Sequence, residues 1–196
     1  MAIRDPSKVE PRVRFPSPAF AKTYLKKSTM KDLIIISGAP GSGKSTIGEL
    51  LREQHGLPLI DFGWLRQGHL DDKWSNATAE EEGMAFENLI FIIKNYWRHG
   101  YKNIVVTDFQ DNKVVALAET FKEKDCIIVS LIIADDKELK KRILGERDSG
   151  FKNVEEAIVW NKNLKSRPAL SNEYKVDNTH NNPAKTVKEI LELLDK

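Results

Sequence analysis

Hydrophobic and polar positions fall in blocks along the chain, and the blocks alternate between two periods. Leu33-Ile34-Ile35-Ile36-Ser37 is apolar at successive positions, as in a strand covered on both faces. From about Lys44 to His55 the apolar residues return at helical spacing, and Gly56 and Pro58 stop the run. Leu57–Asp61 predicts a second short strand. Thr78 with Glu81 forms a capping box. It opens a long helix carrying Phe86, Leu89, Ile90, Ile93 and Trp97 on one face and closing near Gly100. Those aromatics read as core packing. Asn103–Asp108 predicts a third strand, Asp111 the cap of a helix to about Phe121, and Cys126–Ala134 a fourth strand. Asp135 caps a helix through Leu144. A polar stretch, Gly145–Lys152, follows. Asn153 with Glu156 opens another helix, Glu173–Asp177 is a fifth strand, and Asn182-Pro183 starts a final helix. Strand–helix alternation over this length predicts an α/β protein, a parallel sheet with helices on both faces.

The N-terminal residues break this pattern. They have no helical period and contain Pro6, Pro11, Pro16 and Pro18. They also distort the charge balance. The net charge of the 196-residue chain is +2, but residues 1–31 hold eight Lys/Arg against two Asp/Glu, which leaves the remainder net acidic. A basic arm can bind nucleic acid, yet this arm lacks order signals and the body repels a phosphate backbone, so nucleic acid is not the expected partner. The peptide Arg12–Pro16 back-translates to a sequence containing GTTCGATTC, which is similar to the T-arm of a tRNA gene, and Met30 stands just before the first strand. The expectation is that residues 1–29 are upstream sequence and that 30–196 form one domain. A single cysteine excludes an internal disulfide framework and a Cys-based zinc site, and Cys126 reads as an inert buried thiol. No segment has the regions of a signal peptide, and the longest apolar run is too short for a bilayer. A cytoplasmic protein without a membrane partner is expected. Nothing in the composition indicates an oligomeric state.

The strongest chemical signal is Gly38-Ala39-Pro40-Gly41-Ser42-Gly43-Lys44-Ser45, followed by Thr46. It fits G-x-x-x-x-G-K-[ST] and lies between a buried strand and a helix, the context a Walker A phosphate loop requires. Glycines let successive backbone N–H groups turn inward around phosphate oxygens, and the helix N-terminus adds a positive dipole there. Lys44 supplies a charge for the β- and γ-phosphates, and the Ser45 hydroxyl can ligate Mg²⁺. Ile104-Val105-Val106-Thr107-Asp108 is a Walker B-like strand whose aspartate is a second candidate Mg²⁺ ligand. Residues 62–78 have no clear period and suggest a binding loop or a short acceptor-closing helix. In it, Arg66 is a candidate to grip an anionic or hydroxyl-rich acceptor, and Trp64 and Trp74 to stack on a ring. His69 reads as a surface or packing histidine.

These motifs resemble those of the P-loop NTPases. The guanine signature N-K-x-D is absent, since neither Asn112-Lys113 nor Asn161-Lys162 has the aspartate, and the body is shorter than an AAA+ module. Within that superfamily the chain resembles the small kinases of the nucleoside monophosphate kinase-like group: adenylate, shikimate and gluconate kinases and AAA-type predicted kinases. The resemblance implies a three-layer α/β/α fold with a five-stranded parallel sheet in the order 2-3-1-4-5. It implies ATP and Mg²⁺ as cofactors and transfer of the γ-phosphate to a small hydroxyl- or phosphate-bearing acceptor. It gives Asp61, at the end of the second strand, the role of binding or deprotonating the acceptor hydroxyl. It makes residues of about 140–153 a lid whose Arg142 and Arg147 cover the nucleotide and the moving phosphoryl group. It also lays the loop Val176–His180 against the adenine through backbone contacts. Arg167 lies further downstream than the lid arginines of this group. The rival expectation is a nucleotide-binding switch that needs the phosphate loop but no acceptor-side acid.

Overall fold

The computed structural model describes residues 30–71, 73–145 and 151–195. Five parallel strands form one sheet: β1 (Leu33–Gly38), β2 (Leu59–Asp61), β3 (Ile104–Thr107), β4 (Cys126–Ile132) and β5 (Glu173–Asp177). Their order is β2-β3-β1-β4-β5, as the resemblance implies. Among the described residues seven helices connect and extend them: α1 (Lys44–His55), α2 (Phe62–Gln67), α3 (Ala79–Arg98), α4 (Asp111–Thr120), α5 (Asp136–Leu144), α6 (Val154–Ser166) and α7 (Pro183–Leu194).

Successive residues of β1 face opposite layers, which is why an unbroken apolar run is needed there. Ile34 and Ile36 pack with Ile47 and Leu51 of α1 and with Val187, Ile190 and Leu194 of α7. Leu33 and Ile35 pack on the other face with Ala85, Leu89 and Ile93 of α3 and Val114 and Leu117 of α4. Each buried Leu or Ile contributes about 1.5–3 kcal/mol. A smaller cluster joins Ile133 to Leu139 and Ile143 of α5 and Ala157 of α6. The Asn161 side chain fastens α6 to the sheet: it accepts from the Ile133 N–H (3.0 Å) and donates to the Ile133 carbonyl (2.7 Å). Cys126 is buried, and burial pushes its thiol up to about 12, which leaves it inert at neutral pH.

Several caps fall where the spacing puts them. Thr78, Asp135, Asn153 and Asn182 each accept a first-turn N–H, from Glu81, Lys137, Glu156 and Lys185. Asp111 is a correction. It is the first residue of α4 and not its cap, and Gln110 holds the cap position without a side-chain bond. Its carboxylate is taken by Arg167, whose Nε and Nη2 donate to it at 2.7 and 2.8 Å. A bidentate guanidinium outcompetes a single backbone N–H. The segment after Asp61 is helical at its start, as α2. Residues 1–29 and Arg147 lie outside the described residues.

Candidate active site

The ends of β1, β2 and β3 bring the predicted residues into two groups. The first is the phosphate loop, whose backbone only glycine tolerates at two points. Gly38 has φ 148°, and a Cβ there would lie 2.4 Å from Ser42 Oγ and 2.7 Å from the Leu131 carbonyl oxygen. Gly43, at φ 101°, is the N-cap of α1. Unlike α3, α5, α6 and α7, α1 has no side-chain cap, and unlike the first three of these it has no acidic residue in its first turn. Its first N–H groups therefore lack the internal acceptor that the other four helices have, which suits an anion. Ser42 Oγ is buried without a partner, a further polar atom at the loop. Lys44 is buried, and its Nζ donates to the Ala39 carbonyl at 3.3 Å, so the ammonium folds back over the loop. Ser45 and Thr46 are exposed at the start of α1.

Two residues that the sequence reading missed support this loop. Asn178 donates through Nδ2 to the Ser42 carbonyl (2.7 Å) and accepts from the Thr186 hydroxyl (2.5 Å). The loop after β5 thus acts on the phosphate loop through a side chain. Trp160 of α6 lies under Lys44, with the ammonium 6.0 Å from the ring centroid, and its indole N–H is buried and unpartnered. Local spacing carries no signal for either contact with the loop, because Ser42 and Lys44 stand more than a hundred positions from Asn178 and Trp160.

The second group is acidic. Asp61 is 5% exposed. It caps α2 by accepting the Trp64 N–H (3.1 Å) and accepts the Thr107 hydroxyl (3.2 Å). Asp108 follows β3 directly and has φ 69°, a left-handed conformation costing about 1 kcal/mol. That conformation turns its carboxylate back beside Asp61. Gly63 separates the pair: a Cβ there would lie 2.5 Å from Asp108 Oδ2 and 3.1 Å from Asp61 Oδ1. Burial, and then the Asp108 charge, push the Asp61 carboxyl up to about 6. Asp108 itself is exposed. Its carboxylate and the Ser45 hydroxyl are hard oxygen donors. Among the described residues no group of three or more His, Cys, Asp or Glu is gathered to hold a metal. A small oxygen set of this kind suits Mg²⁺, which keeps waters and shares substrate phosphates.

Of the arginines expected at the site, Arg66 and Arg142 are described, and both are engaged within the protein. Arg66 donates through Nε to Glu81 at 2.9 and 3.2 Å and through Nη2 to the same carboxylate, and its guanidinium lies 4.8 Å from the Trp74 ring. Glu81 also meets His69 Nε2 at 2.7 Å. The Arg66 bonds, with His69, hold the Glu81 carboxyl down to about 2. So the capping box is half formed: Thr78 caps the helix, while Glu81 turns outward to Arg66. Trp64 is 51% exposed. Arg142 donates to Glu138 (2.9 Å) and to the Thr179 carbonyl (2.6 Å), which ties α5 to the loop after β5. Arg167 bridges Asp111 and Glu173, donating to Glu173 at 2.6 and 2.8 Å. Burial works against ionised Glu173, but the bonds from Arg167 and Ser130 outweigh it and keep the carboxyl low.

A phosphate loop between β1 and its helix, on a parallel sheet of this order, defines the P-loop NTPase fold. Residues 34–160 match the AAA domain family, and the chain belongs to that family. No curated protein sequence matches the chain. Among solved structures it is similar to a sugar kinase from Janibacter sp. HTCC2649, at TM-score 0.61 and 15% identity, over 83% of this chain and 94% of that one. It is also similar to a gluconokinase from Sinorhizobium meliloti 1021, at TM-score 0.56 and 19% identity, over 82% and 90%. A shikimate kinase from Bacteroides thetaiotaomicron follows, at TM-score 0.54 and 16% identity, over 84% and 98%. These likenesses establish the fold of the small P-loop kinases. Among the described residues no helix is long and apolar enough to cross a membrane.

Proposed function

We propose that the protein is an ATP- and Mg²⁺-dependent phosphotransferase that moves the γ-phosphoryl group to a hydroxyl of a small molecule. The observation that carries this reading is the Asp61–Asp108 pair at the ends of neighbouring strands, with Asp61 buried and pushed up to about 6. A carboxylate with that pKa is ionised at neutral pH and is basic enough to take a proton late in phosphoryl transfer. The phosphate loop, with Lys44, holds the β- and γ-phosphates. Ser45 and Asp108 would hold Mg²⁺, which supplies charge neutralisation of the phosphate oxygens when bound. The acceptor hydroxyl donates a hydrogen bond to Asp61. Its oxygen bonds to the γ-phosphorus as the bond to the bridging oxygen of ADP breaks, and its proton passes to Asp61. Trp64, beside Asp61, supplies a ring face for the acceptor. In the same reading Arg142 belongs to the lid and orders the loop after β5, while Arg147 covers the transferring group. The domain is residues 30–196, residues 1–29 take no part, and the buried reduced thiol fits a cytoplasmic protein.

The test is ADP production by the full chain with Mg-ATP against pooled nucleosides, nucleotides, sugars and hydroxy acids, with Lys44→Ala as control. A pool-dependent rise in ADP, absent in the variant, is expected. ATP binding without pool-dependent turnover would overturn the reading in favour of a nucleotide switch.

A further inference from the structure

The charges on the acceptor side narrow the substrate class; this step rests on the phosphotransferase reading. Arg66 leaves the helix that Asp61 caps, and Asp108 is near enough to stabilise its charge. It would be the natural clamp for a phosphate or carboxylate on an incoming acceptor. Yet its Nε and Nη2 are given to Glu81, whose side chain is 11% exposed, and its face is stacked on Trp74. Drawing Arg66 away would leave a carboxylate that is largely closed to water with His69 alone. Two more of the described arginines are committed in the same way. Arg167 is shared between Asp111 and Glu173, and Arg142 between Glu138 and a backbone carbonyl. Lys113, at the start of α4, holds its ammonium 5.1 Å from the Phe86 ring centroid.

Against these satisfied cations stand two acids flanking Gly63, where a Cβ would lie 2.5 Å from Asp108 Oδ2 and 3.1 Å from Asp61 Oδ1. An acceptor anion brought there meets like charge, beside the negative charge of the nucleotide, while the described cations named above are already engaged. What the side offers instead is a hydroxyl-binding carboxylate and the exposed indoles of Trp64 and Trp74, 51% and 39% exposed. Flat apolar faces of this kind suit the C–H face of a sugar ring or the plane of a base.

We infer that the acceptor brings no anionic group to Asp61, so that its reacting end is an uncharged, hydroxyl-bearing ring or chain such as a neutral sugar, a polyol or a nucleoside. The test uses matched pairs that differ in one charge: a nucleoside against its monophosphate, and a hexitol against the corresponding aldonate. Transfer of labelled phosphate from Mg-ATP by the full chain gives kcat/KM for each. The neutral member is expected to lead by at least tenfold, about 1.4 kcal/mol. Glu81→Gln releases part of Arg66 and is expected to raise the relative kcat/KM of the anionic member by about tenfold, through its KM. The wild-type ratios stand as a test even where that variant folds poorly. Equal or better use of the anionic member would overturn the inference and leave the phosphotransferase reading intact. Absence of transfer to every acceptor while ATP still binds would overturn that reading and the inference with it.

Discussion

The two halves of the site are built by different means. The phosphate side is a backbone device: glycines at positive φ, an uncapped helix start, and one lysine folded over the loop. The acceptor side is a side-chain device: two carboxylates around Gly63, and arginines already paired with Glu81, Glu138, Asp111 and Glu173. The first is generic: inward backbone N–H groups suit the phosphates of any nucleoside triphosphate. The second is particular: its carboxylates and paired arginines set the charge an acceptor would meet. On the proposed reading, specificity resides in the long-range pairings that neutralise the arginines, more than in the motif that identifies the fold.

The largest effect belongs to the phosphate side. Lys44→Ala removes the one side-chain cation of the loop, and transfer is expected to fall about a thousandfold, read by labelled phosphate transfer at saturating acceptor. Asn178→Ala sharpens the contrast, because it breaks a side-chain bond that supports the backbone device from outside the loop. It leaves the Ser42 carbonyl and the Thr186 hydroxyl short of a partner. About 1–3 kcal/mol of stability should be lost, visible in urea unfolding. ATP affinity should weaken by about tenfold in calorimetry.

The fold was legible because its signals are local. Strand runs, helix periods and four of the caps lie within a few residues of one another, and the phosphate loop is written in eight consecutive positions. The acceptor side was legible only in part. Asp61 and Asp108 were marked by their places at strand ends. Their closeness depends on a left-handed Asp108 and a bare Gly63, which no spacing rule reveals. Asp111 was misread as a cap because its true partner, Arg167, stands 56 positions on. Glu81 satisfies the capping-box spacing, yet spends its carboxylate on Arg66, fifteen residues back. Trp160 and Asn178 escaped notice for the same reason.

A smaller effect tests the acidic pair through stability. The carboxyl of Asp61 is raised by folding, so the protonated form favours the native state. That contribution is full below about pH 4 and is lost as pH rises through about 6. Asp61→Asn keeps the shape and removes the repulsion from Asp108. Without nucleotide or Mg²⁺, the variant should be the more stable protein at pH 7, by on the order of 1–3 kcal/mol. The advantage should disappear near pH 4, as read by denaturant melts at both pH values. A variant less stable than the parent at pH 7 would mean that the carboxylates do not repel.

The most direct test of the central claim sets ATP binding beside phosphoryl transfer in Asp61→Asn. The account predicts that ATP affinity stays within about threefold of the parent while transfer falls at least a hundredfold. It also predicts that the parent's kcat/KM rises with pH through about 6 and then levels, with that limb missing in the variant. Transfer that survives the substitution, or falls only in step with ATP binding, would contradict it.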